Sequence, residues 1–355
     1  MRYRLSRHEL TTIGVVLIAF SLALPAHGGG KERDRSDEKD RYAAYVWPAP
    51  PDQPRIRLRT IVSGRADVEA TSRFSRILIG ASPQSAYDKL KKPFGVKFDR
   101  TGRLLVTDTA VGAIFRFDAA GRRMDVFGSQ GSSRLITPLG LSVALDGSIY
   151  VADAGRHQIV AFEEDGTLKR AYGNADELSN PTGVAISPDQ TRLFVADSSG
   201  HGLAVFDIAD VTLLQTFGKK GRGEGELFFP TSVIFSREGE LCVVDQMNAR
   251  IVIFTQDGEF VDSFGEEGTS FGRFVRPKDI AIDDMGLIYI TDAAFGNVQI
   301  FANDLRLLTF VGSNGAGPGQ FHLAAGIATR GDDFAVVDQM NRRVQLFRFV
   351  APRIH

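Results

Sequence analysis

The chain has 355 residues, of which 43% are hydrophobic, and it contains 37 Gly and 26 Phe. This composition is typical of a turn-rich β protein with aromatic packing and argues against a helical bundle. The 42 basic and 43 acidic residues leave no basic excess, so we do not expect nucleic acid as a partner. The single cysteine, Cys242, cannot form an intramolecular disulfide and lies in an apolar run, where we expect a buried thiol.

The first 28 residues are predicted to be a secretory signal peptide. Arg2, Arg4 and Arg7 precede an apolar stretch at residues 13–24, and small residues follow up to Gly28. The apolar stretch is shorter than the ~20 residues that a membrane-spanning helix needs. We therefore expect an exported protein, in the periplasm or at the cell surface. An uncleaved N-terminal anchor is the alternative and would be its only contact with the membrane.

Residues 29–55 are predicted to be a linker. Residues 31–41 are almost all charged and alternate in sign, and a Pro-rich stretch follows at residues 47–54. Such a segment cannot bury apolar area, so we expect a solvated, partly extended spacer, with a docking peptide as the alternative. The folded domain is then expected at residues 56–350, followed by a C-terminal tail at residues 351–355.

One sequence unit occurs six times. Each copy contains a short apolar run that ends in aspartate, and successive aspartates are 44 to 48 residues apart. These residues are Asp108, Asp153, Asp197, Asp245, Asp292 and Asp338. A repeat of this length indicates an array in which stacked units share their hydrophobic core with their neighbours.

Each copy is predicted to contain four short antiparallel strands. Pro-x-Gly or a variant begins the first strand, the repeated aspartate ends the second, an aromatic residue ends the third, and Phe-Gly or a near variant closes the fourth. This pattern predicts an all-β, six-bladed β-propeller. Copy six lacks a fourth strand, and we expect an N-terminal strand at residues 56–62 to complete the last blade and close the ring. Residues 64–92 do not fit the repeat and are expected to form short helical pieces.

The repeat resembles the NHL repeat over residues 93–349. The clearest copy reads Val-Ala-Asp-Ala-Gly-Arg-His-Gln-Ile at residues 151–159, and Asp-Gln-Met-Asn-x-Arg occurs at residues 245–250 and 338–343. The resemblance implies a six-bladed propeller of the NHL-repeat family, as a bacterial exported member. Copies one, three and five lack the polar pair that follows the aspartate, so any binding role of this loop is expected to differ between copies.

The six aspartates are expected to form a ring, because strand two of every blade ends on the same face. A cation site is one interpretation, but calcium needs six to eight oxygens at ~2.3–2.6 Å, and carboxylates on neighbouring blades are expected to lie too far apart. We therefore interpret each aspartate as an acceptor for backbone N–H groups in its own loop, where it holds the turn into strand three. No metal is predicted at these residues.

The mouth of the central channel is where propeller enzymes generally have their active site. Here the second residues of the first strands are Phe94, Leu139, Thr182, Thr231, Lys278 and Ala325. Only Lys278 is charged, and Asp279 follows it; we interpret the two as a surface ion pair, with a ligand clamp as the alternative. No acid and base pair or set of zinc ligands stands out, so no catalytic residue and no cofactor is predicted.

An enzyme is nevertheless one alternative class. Peptidyl-amidoglycolate lyases resemble NHL propellers and use several channel histidines with zinc. Here His157 and His201 follow strand two, and only His322 is placed where it could approach the channel. A metal-dependent lyase-like or lactonase-like enzyme therefore stays open, as does a structural subunit of an envelope complex.

The loops that follow the repeated aspartates are predicted to form a binding surface. Exposed Met and Phe beside Arg are enriched in recognition patches, because they bury apolar area and offer planar hydrogen bonding. With the pair at the channel, the candidates are Arg156, His157, Met247, Asn248, Arg250, Lys278, Asp279, Phe295, Met340, Asn341 and Arg342. Alternatively, Met247 and Met340 pack between blades, and Arg250 and Arg342 bond to loop carbonyls. We predict a rigid interaction module for a protein partner at the cell envelope, with carbohydrate as the other candidate ligand.

Overall fold

The computed structural model describes residues 41–69 and 85–350. The predicted signal peptide, the first part of the predicted linker and the tail at residues 351–355 lie outside the described residues. Six antiparallel sheets are arranged as blades, so the predicted all-β, six-bladed propeller is confirmed. No helix within the two described ranges has the length and apolar content that crossing a membrane requires.

Blades 1 to 5 each take four consecutive strands from one copy of the repeat. Blade 1 contains β3 (Pro93–Phe98), β4 (Leu104–Asp108), β5 (Ala113–Asp118) and β6 (Arg123–Phe127); blade 2 contains β7 (Pro138–Val143), β8 (Ile149–Asp153), β9 (Gln158–Phe162) and β10 (Leu168–Tyr172). Blade 3 contains β11 (Pro181–Ile186), β12 (Arg192–Asp197), β13 (Gly202–Asp207) and β14 (Leu213–Phe217); blade 4 contains β15 (Pro230–Phe235), β16 (Leu241–Asp245), β17 (Arg250–Phe254) and β18 (Phe260–Phe264). Blade 5 contains β19 (Pro277–Ile282), β20 (Ile288–Asp292), β21 (Asn297–Phe301) and β22 (Leu307–Val311).

Blade 6 combines strands from both ends of the described chain. Its strands are β1 (Val46–Trp47), β2 (Ile56–Val62), β23 (Ala324–Arg330), β24 (Asp333–Asp338) and β25 (Arg343–Phe349). β2 pairs antiparallel with β25, so that Ile56 lies opposite Phe349 and Val62 lies opposite Val344. β1 lies inside the predicted linker and pairs with the outer edge of β2. In the segment predicted to be helical, the described part contains one short 3-10 helix at Arg65–Asp67.

The hydrophobic core lies between the blades. Six clusters of buried side chains each join two neighbouring blades. Phe194 of blade 3 shares a cluster with Leu241 and Phe254 of blade 4. Val337 of blade 6 shares a cluster with Val106 of blade 1, so the ring of apolar contacts is closed. Because no blade buries these faces alone, the blades stabilise one another, as the repeat length predicts.

The position of a strand in its blade determines its burial. All residues of β4, β8, β16 and β20, the second strands of their blades, are buried, because both faces of these strands pack against neighbouring blades. These strands are accordingly continuous apolar runs that end in the repeated aspartate. The outer strand β14 is half-buried to exposed throughout. The first strands contact one another around the central channel and begin on the same side of the ring.

Candidate functional site

Antiparallel pairing places three points of each blade at the same end: the start of strand one, the end of strand two and the start of strand three. In blade 2, Pro138 lies opposite Asp153, which lies opposite Gln158. The loops between strands two and three therefore share one surface with the connections that enter strand one. We call this surface the loop face; its loops are residues 109–112, 154–157, 198–201, 246–249, 293–296 and 339–342, and its connections are residues 85–92, 128–137, 173–180, 218–229, 265–276 and 312–323.

All six repeated aspartates are buried. Each carboxylate accepts a hydrogen bond of 2.6–2.8 Å from the backbone N–H of a residue just before strand one of the same blade. The donors are Lys91, Ile136, Ser179, Phe228, Val275 and His322. The prediction that each aspartate binds N–H groups of the loop that follows it is therefore incomplete. Each aspartate also ties that loop to the connection that enters the blade.

The second set of donors to the aspartates divides five of the six blades into two types, whereas Asp153 of blade 2 accepts a second N–H from the connection, that of Thr137. In blades 1 and 5 the carboxylate also accepts hydrogen bonds from the backbone N–H groups two and three residues further on, as Asp292 does from Ala294 and Phe295. In blade 3 Asp197 accepts one such bond, from the N–H of Gly200. In blades 4 and 6 side chains replace these backbone groups. The donors there are Asn248 and Arg250 to Asp245, and Asn341 and Arg343 to Asp338.

The Asn and Arg side chains of blades 4 and 6 also hold the neighbouring connections. Arg250 donates to the carbonyl oxygens of Gly223 and Glu226, and Asn248 donates to that of Gly221. Asn341 bonds to the carbonyl oxygen of Gly315 in the same way. Three of the predicted binding residues, Asn248, Arg250 and Asn341, thus use their side-chain N–H groups inside the protein.

Every loop between strands two and three turns through a left-handed residue at the same position. The φ values are 67° at Gly112, 55° at His157, 56° at His201, 54° at Ala249, 62° at Gly296 and 58° at Arg342. Glycine adopts this conformation without strain, whereas other residues do so at a cost of roughly 1–2 kcal/mol. The same turn is therefore retained in loops with different side chains.

Met247 and Met340 lie at equivalent positions of these rigid loops, and each is 51% exposed. Their backbone N–H groups donate to the carbonyl oxygens of Phe228 and His322, which fixes the loop beneath the side chain. The alternative in which the two methionines pack between blades is therefore wrong. Arg342 is also exposed, and among the described residues its guanidinium has no hydrogen-bond acceptor; Arg343, the next residue, bonds to the carbonyl groups instead.

The other loop residues predicted to bind are partly used in internal contacts. The guanidinium of Arg156 donates to the carbonyl oxygens of Ser132 and Arg134. His157 contacts the carbonyl oxygen of Leu178 through Nδ1, at 3.1 Å. The ring of Phe295 is half-buried. All three residues lie on the loop face, but the polar groups of Arg156 and His157 are already hydrogen-bonded within the protein, unlike the guanidinium of Arg342.

Sequence reasoning missed the exposed apolar residues of the connections. Phe271 is 58% exposed and stacks on Phe310 with 4.0 Å between ring centroids, and Val275 is 41% exposed. Both belong to the connection that enters blade 5, between the blades that carry Met247 and Met340. The position of Val275 within the repeat could have identified it. Val275 lies two residues before the proline that begins strand one, as Ile136 does in blade 2.

A second aromatic group lies on the loop face at blades 3 and 4. His201 lies 4.7 Å from Phe229 and 5.4 Å from Phe228, measured between ring centroids. The backbone N–H of Phe229 donates to Nδ1 of His201, and the Lys220 ammonium lies over the Phe228 ring. Phe229 itself has φ 56°, an unusual conformation for a bulky residue, which the bond to His201 helps to hold.

The first strands line a narrow channel, and the space in it that water can occupy is about 20 Å³. Lys278 and Asp279 both line it, but the predicted ion pair between them is not formed. Asp279 instead accepts hydrogen bonds from the Ser232 hydroxyl and from the Ile327 N–H at 2.8 Å, which connects blades 4, 5 and 6. The Lys278 ammonium lies over the Phe94 ring, 5.4 Å from its centroid.

The environment of Lys278 disfavours its charge. Burial lowers the pKa of Lys278 most, the nearby cations Arg276 and Lys92 lower it further, and Asp279 acts in the opposite direction. His322, which was expected near the channel, is exposed, and within the described residues no group of three His, Cys, Asp or Glu side chains is arranged to hold a metal ion.

Known proteins resemble this chain over parts of its length. Residues 230–293 match a family described as a 6-bladed beta-propeller. Peptidyl-glycine alpha-amidating monooxygenase B of Xenopus laevis is 29% identical over 150 residues, which are 38% of this chain and 17% of that protein. NHL repeat-containing protein 3 of Mus musculus is 30% identical over 127 residues, which are 32% of this chain and 37% of that protein.

A solved structure shows the same architecture. Virginiamycin B lyase from Staphylococcus aureus superposes with a TM-score of 0.54 at 12% identity, and the match covers 73% of this chain and 95% of that one. At this identity the likeness concerns the fold alone. This chain spans less than a fifth of the Xenopus relative and less than two fifths of the mouse relative. The six sheets and the match of residues 230–293 identify the chain as a six-bladed β-propeller, and part of it is similar in sequence to an NHL repeat-containing protein.

Proposed function

We propose that this protein is an exported binding module whose loop face takes a protein partner at the cell envelope. The observation that carries the proposal is the exposure of Met247 and Met340 on loops that part-buried hydrogen bonds tie to Asp245 and Asp338. A preorganised loop loses little conformational freedom when it binds, so more of the contact energy appears as affinity.

The neighbouring residues indicate the chemistry of the partner. Phe271 and Val275 add exposed apolar area between the two methionines. Arg342 supplies a guanidinium without an acceptor among the described residues, and such a group pairs well with a carboxylate. A partner with an apolar contact surface edged by Asp or Glu fits this combination.

The proposal is tested by crosslinked pull-down of the mature protein from its native envelope. The double variant Met247→Glu, Met340→Glu is compared with Met285→Glu, because Met285 is 41% exposed in the hairpin between strands one and two, at the opposite end of the blades. We expect the wild type and Met285→Glu to retain the same partner at fixed stoichiometry and the double variant to lose it. Equal recovery by all three would refute a role of the loop face.

Carbohydrate is the second candidate ligand, and the group of His201, Phe228 and Phe229 favours it. The Phe229 ring is 38% exposed and offers a flat apolar surface to the C–H face of a sugar, and Nε2 of His201 is left to bond a hydroxyl group, since Nδ1 accepts the N–H of Phe229. A glycan array probed with the wild type and with Phe229→Ala separates this candidate from the first. Sugar binding that is lost with Phe229→Ala but retained with the methionine variants would support it, and no glycan signal above background would reject it.

A further inference from the structure

The mouth of the central channel is positively charged in a protein whose formal net charge is only -1. Lys97 and Lys278 line the channel, and the one carboxylate among the lining residues, that of Asp279, already accepts bonds from Ser232 and Ile327. Lys92 and Arg276 are exposed and lie near enough to Lys278 to affect its ionisation. Lys97 and Lys278 therefore share the channel with one carboxylate, which is occupied on both oxygens, and Lys92 and Arg276 lie close to Lys278.

The Lys278 ammonium is the least satisfied of these groups. Lys97 donates to the carbonyl oxygen of Ile327 at 3.4 Å. Within the described part of the chain Lys278 has no such acceptor, and its ammonium lies over the face of Phe94. An ammonium has three donor hydrogens, and desolvating them without an acceptor is unfavourable. An anion placed beside Lys278 would supply the acceptor and offset the repulsion from Arg276 and Lys92.

We propose that the channel mouth binds a small ligand that carries an oxyanion, a carboxylate or a phosphate, with Lys278 as its central contact. Lys92 and Arg276 lie at the entrance and attract the anion, and Arg276 can offer paired N–H donors. The rest of the lining consists of Leu141, Thr182, Thr231 and other apolar or hydroxyl-bearing residues, and the channel itself has room for little more than water, so the oxyanion binds at the mouth. This site uses neither methionine of the loop face, although Lys92 and Arg276 belong to connections of that face.

The proposal is tested by isothermal titration calorimetry of the full chain at constant ionic strength. Inorganic phosphate and benzoate serve as separate probes, so that the phosphate and carboxylate sources are distinguished. Lys278→Met removes the ammonium and keeps an unbranched side chain that is only one atom shorter. Lys219→Met is the matched control, because it changes the net charge by the same amount. Lys219 is 79% exposed, lies in the connection that enters blade 4 and is not among the residues that line the channel. Thermal unfolding of each variant checks its fold.

We expect the wild type and the Lys219→Met control to bind at least one probe, and Lys278→Met to bind it about tenfold to a hundredfold more weakly, as a charge-assisted hydrogen bond predicts. If Lys278→Met does not fold, Arg276→Gln at the exposed entrance replaces it, with an expected loss in the same direction. Absence of binding of both probes to the wild type at millimolar concentration would overturn the proposal, as would equal binding by the channel variant and the control.

Discussion

Nε of Arg343 lies 2.7 Å from the carboxylate of Asp338, a side chain with no exposed surface. The same guanidinium donates to the carbonyl oxygens of Gly317 and Gln320. One side chain therefore joins the start of strand three, the end of strand two and the connection between blades 5 and 6. Arg250 makes the corresponding contacts with Asp245 in blade 4.

The first prediction concerns this ion pair. Arg343→Ala should lower the free energy of unfolding by ~3–5 kcal/mol, because it leaves the carboxylate of Asp338 buried without its cation. Arg342→Ala is the matched control and should change it by less than ~0.5 kcal/mol, since the side chain is exposed. Urea unfolding followed by circular dichroism measures both. Equal effects of the two substitutions would contradict a special role of Arg343.

The second prediction concerns the aspartate of blade 2, which has no Arg partner in its loop. Asp153 accepts the backbone N–H groups of Ile136 and Thr137 at 2.8 Å. Asp153→Ala leaves these buried donors unsatisfied and should cost ~1–3 kcal/mol, whereas Asp257→Ala in an exposed turn should cost little. Differential scanning calorimetry with and without a chelator also tests the cation interpretation. A chelator that lowers the melting temperature of the wild type but not of Asp153→Ala would revive it.

The third prediction concerns Cys242. Burial raises the pKa of its thiol to about 12, so the folded protein should keep it protonated and unreactive at pH 8. In the unfolded chain the thiol ionises at an ordinary pKa, near 8.5, so this group should favour unfolding progressively above that pH. Iodoacetamide labelling followed by mass spectrometry should show modification only after denaturant is added. Rapid labelling of the native protein would mean that the site opens locally.

The architecture could be predicted from the sequence because its period is explicit in it. The runs that end in Asp153 or Asp292 are strands buried on both faces, and such strands read as continuous apolar runs. The partners of Asn248 and Arg250 could not be predicted in this way. These residues look like polar loop residues, and the carbonyl groups that they bind lie 24 to 27 residues earlier in the chain, in positions that only the folded connection defines.

The interpretation of Lys278 and Asp279 failed for a similar reason. Adjacent residues of opposite charge suggest an ion pair, but Asp279 finds fixed donors on both neighbouring blades, and Lys278 packs on Phe94 across the channel. Contacts between distant blades determine both environments. Such contacts depend on how the first strands surround the axis, and the spacing of the repeat does not contain that information.

The last prediction concerns the pairing of β2 with β25. A variant that begins at residue 64 would leave β25 with unpaired backbone groups and would remove Ile56 and Leu58 from the core between blades 5 and 6. An open, apolar strand edge invites pairing with another chain, so this variant should aggregate or form larger oligomers. A variant that begins at residue 41 keeps both strands of the pair and is the control; it should elute as the untruncated folded chain does and melt at the same temperature. Size-exclusion chromatography with light scattering makes the comparison. If the shorter variant stayed monodisperse and equally stable, blade 6 would not depend on its N-terminal strand.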